Sequence, residues 1–223
     1  MRSLKELDNS FEHVWINILM ARVMFQGKSR FDLAMEFTQK AMTIAKEIRF
    51  NHFWVAFCEL GFGVIHLAIG ELDISLKFHM KSLAIYKEIK NKWFIAMTLL
   101  NIGAIYFNLG DYELALKYTE ESLLYYEDQQ TADFSLYNIV ELALEKGDIK
   151  LAQKYFNQLE QLYNQKKDVN IALTYQVSKA LMLSRSTRIR DRAKAEELLK
   201  QIIETEGIWV NRVDALVYLC DLL

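Results

Sequence analysis

The chain has 223 residues with no proline and 8 glycines, and its 27 basic residues nearly balance 29 acidic ones, for a net charge of −2. Average proline usage of about 5% would supply roughly eleven, so its absence favours helices joined by tight turns over sheets with Pro-rich loops; strand-like alternation is missing over any useful length. Balanced charge excludes the basic excess of a sequence-independent nucleic-acid binder, and no glycine-rich phosphate loop, zinc-protease motif or nucleophile elbow points to an enzyme.

In chain order, the expected helices fall into pairs. Unit one (9–50) joins a helix over 9–26 to one over 31–48, with Ala34 and Ala41 as small contact residues. Unit two (51–91) joins 51–69 to 71–89 and sets Gly63 against Ser75. Unit three (92–130) joins 92–109 to 111–127, with Gly103 and Ala115 small where two helices must approach closely. Leu109-Gly110-Asp111 breaks that pair: Gly110 can adopt the left-handed conformation that ends a helix, and Asp111 can cap the next one. Unit four (131–168) joins 132–146 to 148–164 around Gly147-Asp148 and Ala152, and unit five (169–206) joins 170–184 to 190–204 around Ser178 and Ala195. A half unit (207–223) holds a last amphipathic helix over 208–223 with no partner.

One short phrase sets the period. Lys5-Glu6-Leu7, Lys46-Glu47-Ile48 and Lys87-Glu88-Ile89 recur every 41 residues, and each is followed by an Asn, at Asn9, Asn51 and Asn91. The later two copies end the second helix of a unit, so the first reads as the tail of a helix whose body is missing, as if the chain were cut from a longer array. The small residues Ala34, Ser75, Ala115, Ala152 and Ala195 step by 41, 40, 37 and 43. These features predict an all-α fold, a right-handed αα superhelix of five helix pairs plus a final helix, forming one repeat domain over 1–223.

The stretch from Ala96 to Tyr118, with Leu99, Ile102, Gly103 and Tyr106 on one stripe and Ala115 opening the next, resembles one tetratricopeptide (TPR) unit. Units near 40 residues without proline look like the extended-helix members of that family, as in kinesin light chain and bacterial peptide-sensing regulators. The resemblance implies a protein-interaction scaffold binding a partner peptide or helix in a concave groove. An alternative is an oligopeptide-sensing regulatory module acting on a separate effector domain. Solenoids need polar caps at their ends, and the apolar final helix predicts self-association through end helices.

In such arrays the first helix of each pair lines the concave side, which implies a peptide-binding row. It comprises Asn101, Phe107 and Asn108 in unit three, Tyr137, Asn138 and Glu141 in unit four, and Tyr175, Gln176 and Lys179 in unit five. A side-chain amide both donates and accepts, so Asn101, Asn138 and Gln176 can bond the main chain of an extended peptide. Met20 and Gly61 hold that place in units one and two, whose groove (Leu19, Val23, Phe57, Leu60, Val64, Leu67) is apolar enough for a helix.

Other features receive plainer readings. His13, His52, His66 and His79 lack ligand spacing; His66 and His79 read as packing residues, and no metal or cofactor is expected. Cys58 and Cys220 are expected to be buried, reduced thiols. The aromatic stretches Phe53-Trp54, Phe57, Trp93-Phe94 and Tyr125-Tyr126 suggest packing between units rather than base stacking. Residues 185–192 concentrate arginine in a longer turn, expected to be solvated, with arginines paired to neighbours such as Glu196 and Ile189 tucked beneath. Met1 to Ser10 is polar and the apolar run from Leu60 to Gly70 is too short to span a bilayer. A soluble cytoplasmic protein with no membrane partner follows.

Overall fold

The computed structural model describes residues 4–27, 30–48, 52–126, 132–166, 168–204 and 209–222. Among these, all regular structure is helical: α1 (Leu4–Arg22, continuing as a π-helical turn Val23–Gly27), α2 (Phe31–Glu47), α3 (His52–Ala68), α4 (Leu72–Glu88), α5 (Lys92–Asn108), α6 (Tyr112–Leu123), α7 (Asp133–Glu145), α8 (Ile149–Gln165), α9 (Val169–Ser184), α10 (Ile189–Glu204) and α11 (Trp209–Leu222). Two compact units contain them, 1–125 and 126–223. In each, helices adjacent in sequence pack together, α1 to α6 in the first and α7 to α11 in the second.

The period-setting small residues work as close contacts. Ala34, Ser75, Ala115, Ala152 and Ala195 are all fully buried. In the pair α3–α4, the Ser75 hydroxyl donates to the Gly63 carbonyl at 2.8 Å. In α5–α6, a β-carbon on Gly103 would sit 2.3 Å from Thr119 Oγ1 and 3.2 Å from the Ala115 carbonyl oxygen. Arg22 holds the matching place in α1, exposed to solvent, and there the helix widens into the π turn. A π turn of this kind inserts backbone where regular spacing is lost.

Turn chemistry follows the sequence closely. Gly110 takes φ 77°, and the Asp111 N–H reaches back to the Tyr106 carbonyl at 2.9 Å. Asp111 then accepts from Leu114 N–H at 3.0 Å, starting α6. Gly147-Asp148 repeats the device, with φ 75° and a 2.9 Å cap to Leu151 N–H. Each arrangement satisfies end groups that would otherwise lack partners.

Two expectations fail here. Lys5-Glu6-Leu7 does not end an earlier helix but lies in the first turn of α1, which runs unbroken from Leu4. The third copy is different because Lys90 adopts a left-handed φ of 55° and Asn91 caps the next helix through Phe94 N–H. Helix α6 stops at Leu123, short of the expected 127: Leu124 to Tyr126 leave the helix, and Glu127 lies outside the described residues.

Within 1–125, one core cluster joins Val14, Ile18, Met42, Ile48, Cys58 and Phe62. A second joins Leu60, Leu83, Tyr86, Ile95, Leu99 and Ile102. Phe94 ties successive pairs together, its ring 5.2 Å from Phe53, 5.6 Å from Phe57 and 4.7 Å from Tyr86. The aromatics therefore pack between pairs, with Trp93 the exception at 49% exposure.

Candidate functional site

In the first unit, α1, α3 and α5 border an apolar cleft of about 320 Å³. Its walls include Trp15, Leu19 and Phe25 from the first pair, Phe57, Leu60 and Val64 from α3, and Met97 from α5. Four of these were legible as an apolar groove: Leu19, Phe57, Leu60 and Val64. Gly61 is part of the lining. A β-carbon there would rest against Thr38 at 3.4 Å, an ordinary contact. Trp15, Phe25 and Thr38 could have been found only by knowing which turns of the first pair face α3. Arg22 and Gln26 form the polar edge, joined by a 3.0 Å bond from Arg22 Nε to Gln26 Oε1. The volume sits at the lower end of ligand sites, roughly 300–1,000 Å³.

Asn101 stands one helical turn beyond Met97 on α5, half-buried, with no intramolecular hydrogen bond among the described residues. Its amide keeps both donor and acceptor capacity next to the cleft. Phe107 is half-buried, its ring 5.6 Å from that of Tyr112. Asn108 is exposed, and its Nδ2 donates to the Ala104 carbonyl at 2.8 Å.

The second unit arranges its residues differently. Asn138 is half-buried, and its Nδ2 donates to the Phe134 carbonyl at 2.6 Å, one turn back on α7. Tyr137 is buried; its hydroxyl lies 2.8 Å from that of Tyr218 on α11, and the Tyr218 hydroxyl also donates to Glu141. The last helix thus has partners, packing against both α10 and α9. Tyr175 is buried between Phe156 (5.5 Å) and Tyr163 (4.5 Å) and donates to Glu160 Oε1 at 2.8 Å. Burial, then the Glu160 carboxylate, pushes its phenol up to about 12. Lys179 is exposed, with Nζ 5.6 Å from the centre of the Tyr175 ring. Gln176 is half-buried and forms no hydrogen bond among the described residues. Within the second unit, then, α11 covers Tyr137 and Glu141, while Gln176 stays available.

The remaining polar features behave as packing, with three corrections. His66 stacks on Phe78 at 5.3 Å and meets Glu71 at 2.5 Å. His79 is fully buried, Nδ1 2.9 Å from the Ser75 carbonyl, and burial lowers it to about 4. Burial, helped by neighbouring Glu59, raises the Cys58 thiol to about 12, which leaves it unreactive. Cys220, however, is exposed, because α11 turns that side away from α9 and α10. Ile189 is not tucked in but 87% exposed, since it begins α10 at the outer end of the turn. Glu196 pairs with Lys200 one turn along its own helix at 2.5 Å, not with an arginine of the turn. Among the described residues, no group of three metal-ligating side chains occurs, and no helix is long and apolar enough to cross a membrane.

Residues 62–218 match the family described as 26S proteasome subunit RPN7. No curated protein matches the chain in sequence. Among solved structures, the apo form of RapI is similar with a TM-score of 0.72 at 19% identity, over 86% of this chain and 70% of that one. Aspartyl phosphate phosphatase F from Bacillus subtilis gives 0.74 at 17% identity; the match covers 95% of this chain but only 59% of that protein's length. A putative kinesin light chain of Podosopora anserina with nearly identical TPR-like repeats gives 0.62 at 15% identity, over 91% and 95%. At such identities the likeness concerns the fold, and the fold is that of a TPR-like, all-α repeat solenoid.

Proposed function

The chain belongs to the family of 26S proteasome subunit RPN7, and on that footing we propose that it is a non-enzymatic interaction scaffold that seats a partner peptide or helix in the groove of its first unit. One observation carries this reading: an apolar cleft floored by Gly61, with the unengaged amide of Asn101 one helical turn from its edge. An apolar side chain of the partner fills the cleft while Asn101 bonds its main chain. Phe107 and Asn108 extend the same row. In the second unit, Gln176 and Lys179 offer free polar heads, whereas Tyr137, Asn138, Glu141 and Tyr175 already have intrachain bonds. A partner therefore gains less from them. TPR-like folds serve widely as protein-interaction modules, which agrees with a site built for complementarity rather than for chemistry.

The reading is tested by filling the cleft. Gly61→Leu places a branched side chain where the partner's would go, and Asn101→Ala removes the amide. Proteins captured by the wild-type chain should be lost with Gly61→Leu and bound about 1–3 kcal/mol more weakly with Asn101→Ala. An identical set of partners, held at identical affinity by both variants, would rule the cleft out.

We also propose that copies associate through their end helices. Ile16 and Val23 of the first pair are about half exposed (53% and 51%), as are Leu216 and Val217 of α11 (47% and 52%). Sedimentation should show mass rising with concentration, and Val217→Glu should reduce the rise. A mass that stays monomeric at every concentration would remove this proposal.

A further inference from the structure

The turn between α9 and α10, together with the first turn of α10, holds four of the chain's nine arginines within eight residues, and no arginine occurs between Arg49 and Arg185. Elsewhere in that long interval the chain uses lysine. The distinction matters because a guanidinium presents a planar fork that matches a carboxylate two bonds at a time, whereas an ammonium acts as a point charge. Among the described residues only one of the four is engaged: Arg185 pairs with Glu145, the last residue of α7. Arg188, Arg190 and Arg192 are exposed, and their guanidinium groups have no carboxylate partner among the described residues. Asp191, between Arg190 and Arg192 in sequence, accepts from the Ser186 hydroxyl at 2.8 Å. That bond, with Arg188 N–H donating to Ser186 Oγ at 3.2 Å, braces the turn from within.

Between the unpaired arginines stands Ile189, at 87% the most exposed large hydrophobic among the described residues. An isolated exposed apolar side chain means little. Here it sits directly between Arg188 and Arg190. The Arg185–Glu145 pair also ties this turn to one whose own first helical residue, Ile149, is 52% exposed. The result is an apolar spot ringed by unspent positive charge, on a braced turn outside the groove.

We propose that the α9–α10 turn is a docking surface for an acidic protein segment, with Arg188, Arg190 and Arg192 gripping carboxylates on either side of an apolar residue that rests on Ile189. An anionic membrane is the less fitting occupant: lipid-binding basic clusters typically carry about four to eight cations, and three free arginines with one isoleucine fall short. This surface is independent of the cleft, and either can fail alone.

The probe is a short, fluorescently labelled peptide alternating glutamate and leucine, with a glutamine–leucine counterpart and vesicles of phosphatidylserine and phosphatidylcholine as the other arms. The glutamate peptide should bind, with affinity falling as salt rises. The glutamine peptide should bind about tenfold more weakly or worse. Replacing Arg188→Gln, Arg190→Gln and Arg192→Gln together should cost at least about tenfold, and Ile189→Ser about threefold or more. All four side chains are exposed, and unchanged helicity by circular dichroism confirms the fold. Gly61→Leu should leave this binding untouched. Equal binding by the triple variant, equal binding of the glutamine peptide, no binding of the glutamate peptide, or retention on vesicles alone would overturn the proposal.

Discussion

A methyl group added at Gly103 has nowhere to go. It would collide with Thr119 Oγ1 at 2.3 Å and press the Ala115 carbonyl at 3.2 Å, so α5 and α6 would have to separate. Gly103→Ala is expected to destabilise the protein by about 1–3 kcal/mol, the usual cost of overpacking, measured as a fall in the urea midpoint. At the matching place in α3–α4, Gly63 faces His79, whose Nε2 is buried without a partner. Burial holds that imidazole neutral down to about 4, whereas an unfolded histidine takes up its proton near 6.5. Between these values the unfolded chain binds a proton that the folded chain refuses. Stability therefore falls as pH drops through this window, by about 1.4 kcal/mol per unit, and levels off below it. His79→Leu should flatten this part of the stability profile in denaturant titrations across pH. A variant profile parallel to wild type would show that His79 is not the group responsible.

Helix boundaries were readable because their causes are local. Gly110-Asp111 and Gly147-Asp148 each join a left-handed stop to a capping carboxylate, and both starts fall where expected. Asp168 does the same for α9 without a glycine, accepting from Asn170 and Ile171 N–H at 2.8 and 3.2 Å. Replacing Asp148 by Ala should cost about 1 kcal/mol, seen as a lower denaturation midpoint with nearly unchanged helix content. Glu71, at the corresponding place before α4, makes no cap bond to the backbone; its carboxylate goes to His66 instead. What stayed hidden depends on distance along the chain. Tyr218 meets Tyr137 and Glu141 across about eighty positions of sequence, and no local pattern announces that pairing. The π turn after Arg22 is likewise invisible to a periodicity argument. Ile189 was misplaced because an apolar residue in a turn is normally assumed to find cover, and the compact bracing through Ser186 and Asp191 provides none.

At the scale of the whole chain, part of the cleft's lining, Leu19, Phe57, Leu60 and Val64, was legible from the apolar row that the repeat period places in the groove of the first two units. The arginine turn was legible only as composition, since its function depends on which guanidinium groups remain unpaired. The two surfaces lie in different compact units and differ in physical character, so their binding should carry different signatures. Filling the cleft removes apolar area from Leu19, Phe57, Leu60 and Val64 and engages little charge beyond Arg22. Binding there should show a negative heat-capacity change and nearly constant affinity as salt rises from about 0.1 M to about 1 M. Binding at the turn depends on exposed charges and should weaken steeply over the same range, as the screening length contracts from about 10 Å to about 3 Å. Calorimetry at several temperatures and salt concentrations separates the two for any partner. A ligand lost on Gly61→Leu should keep its affinity in salt, and one lost on Arg188→Gln, Arg190→Gln and Arg192→Gln should not. A ligand that needs Gly61 yet dissociates with salt would show that Arg22 at the cleft edge, rather than the apolar floor, dominates its binding.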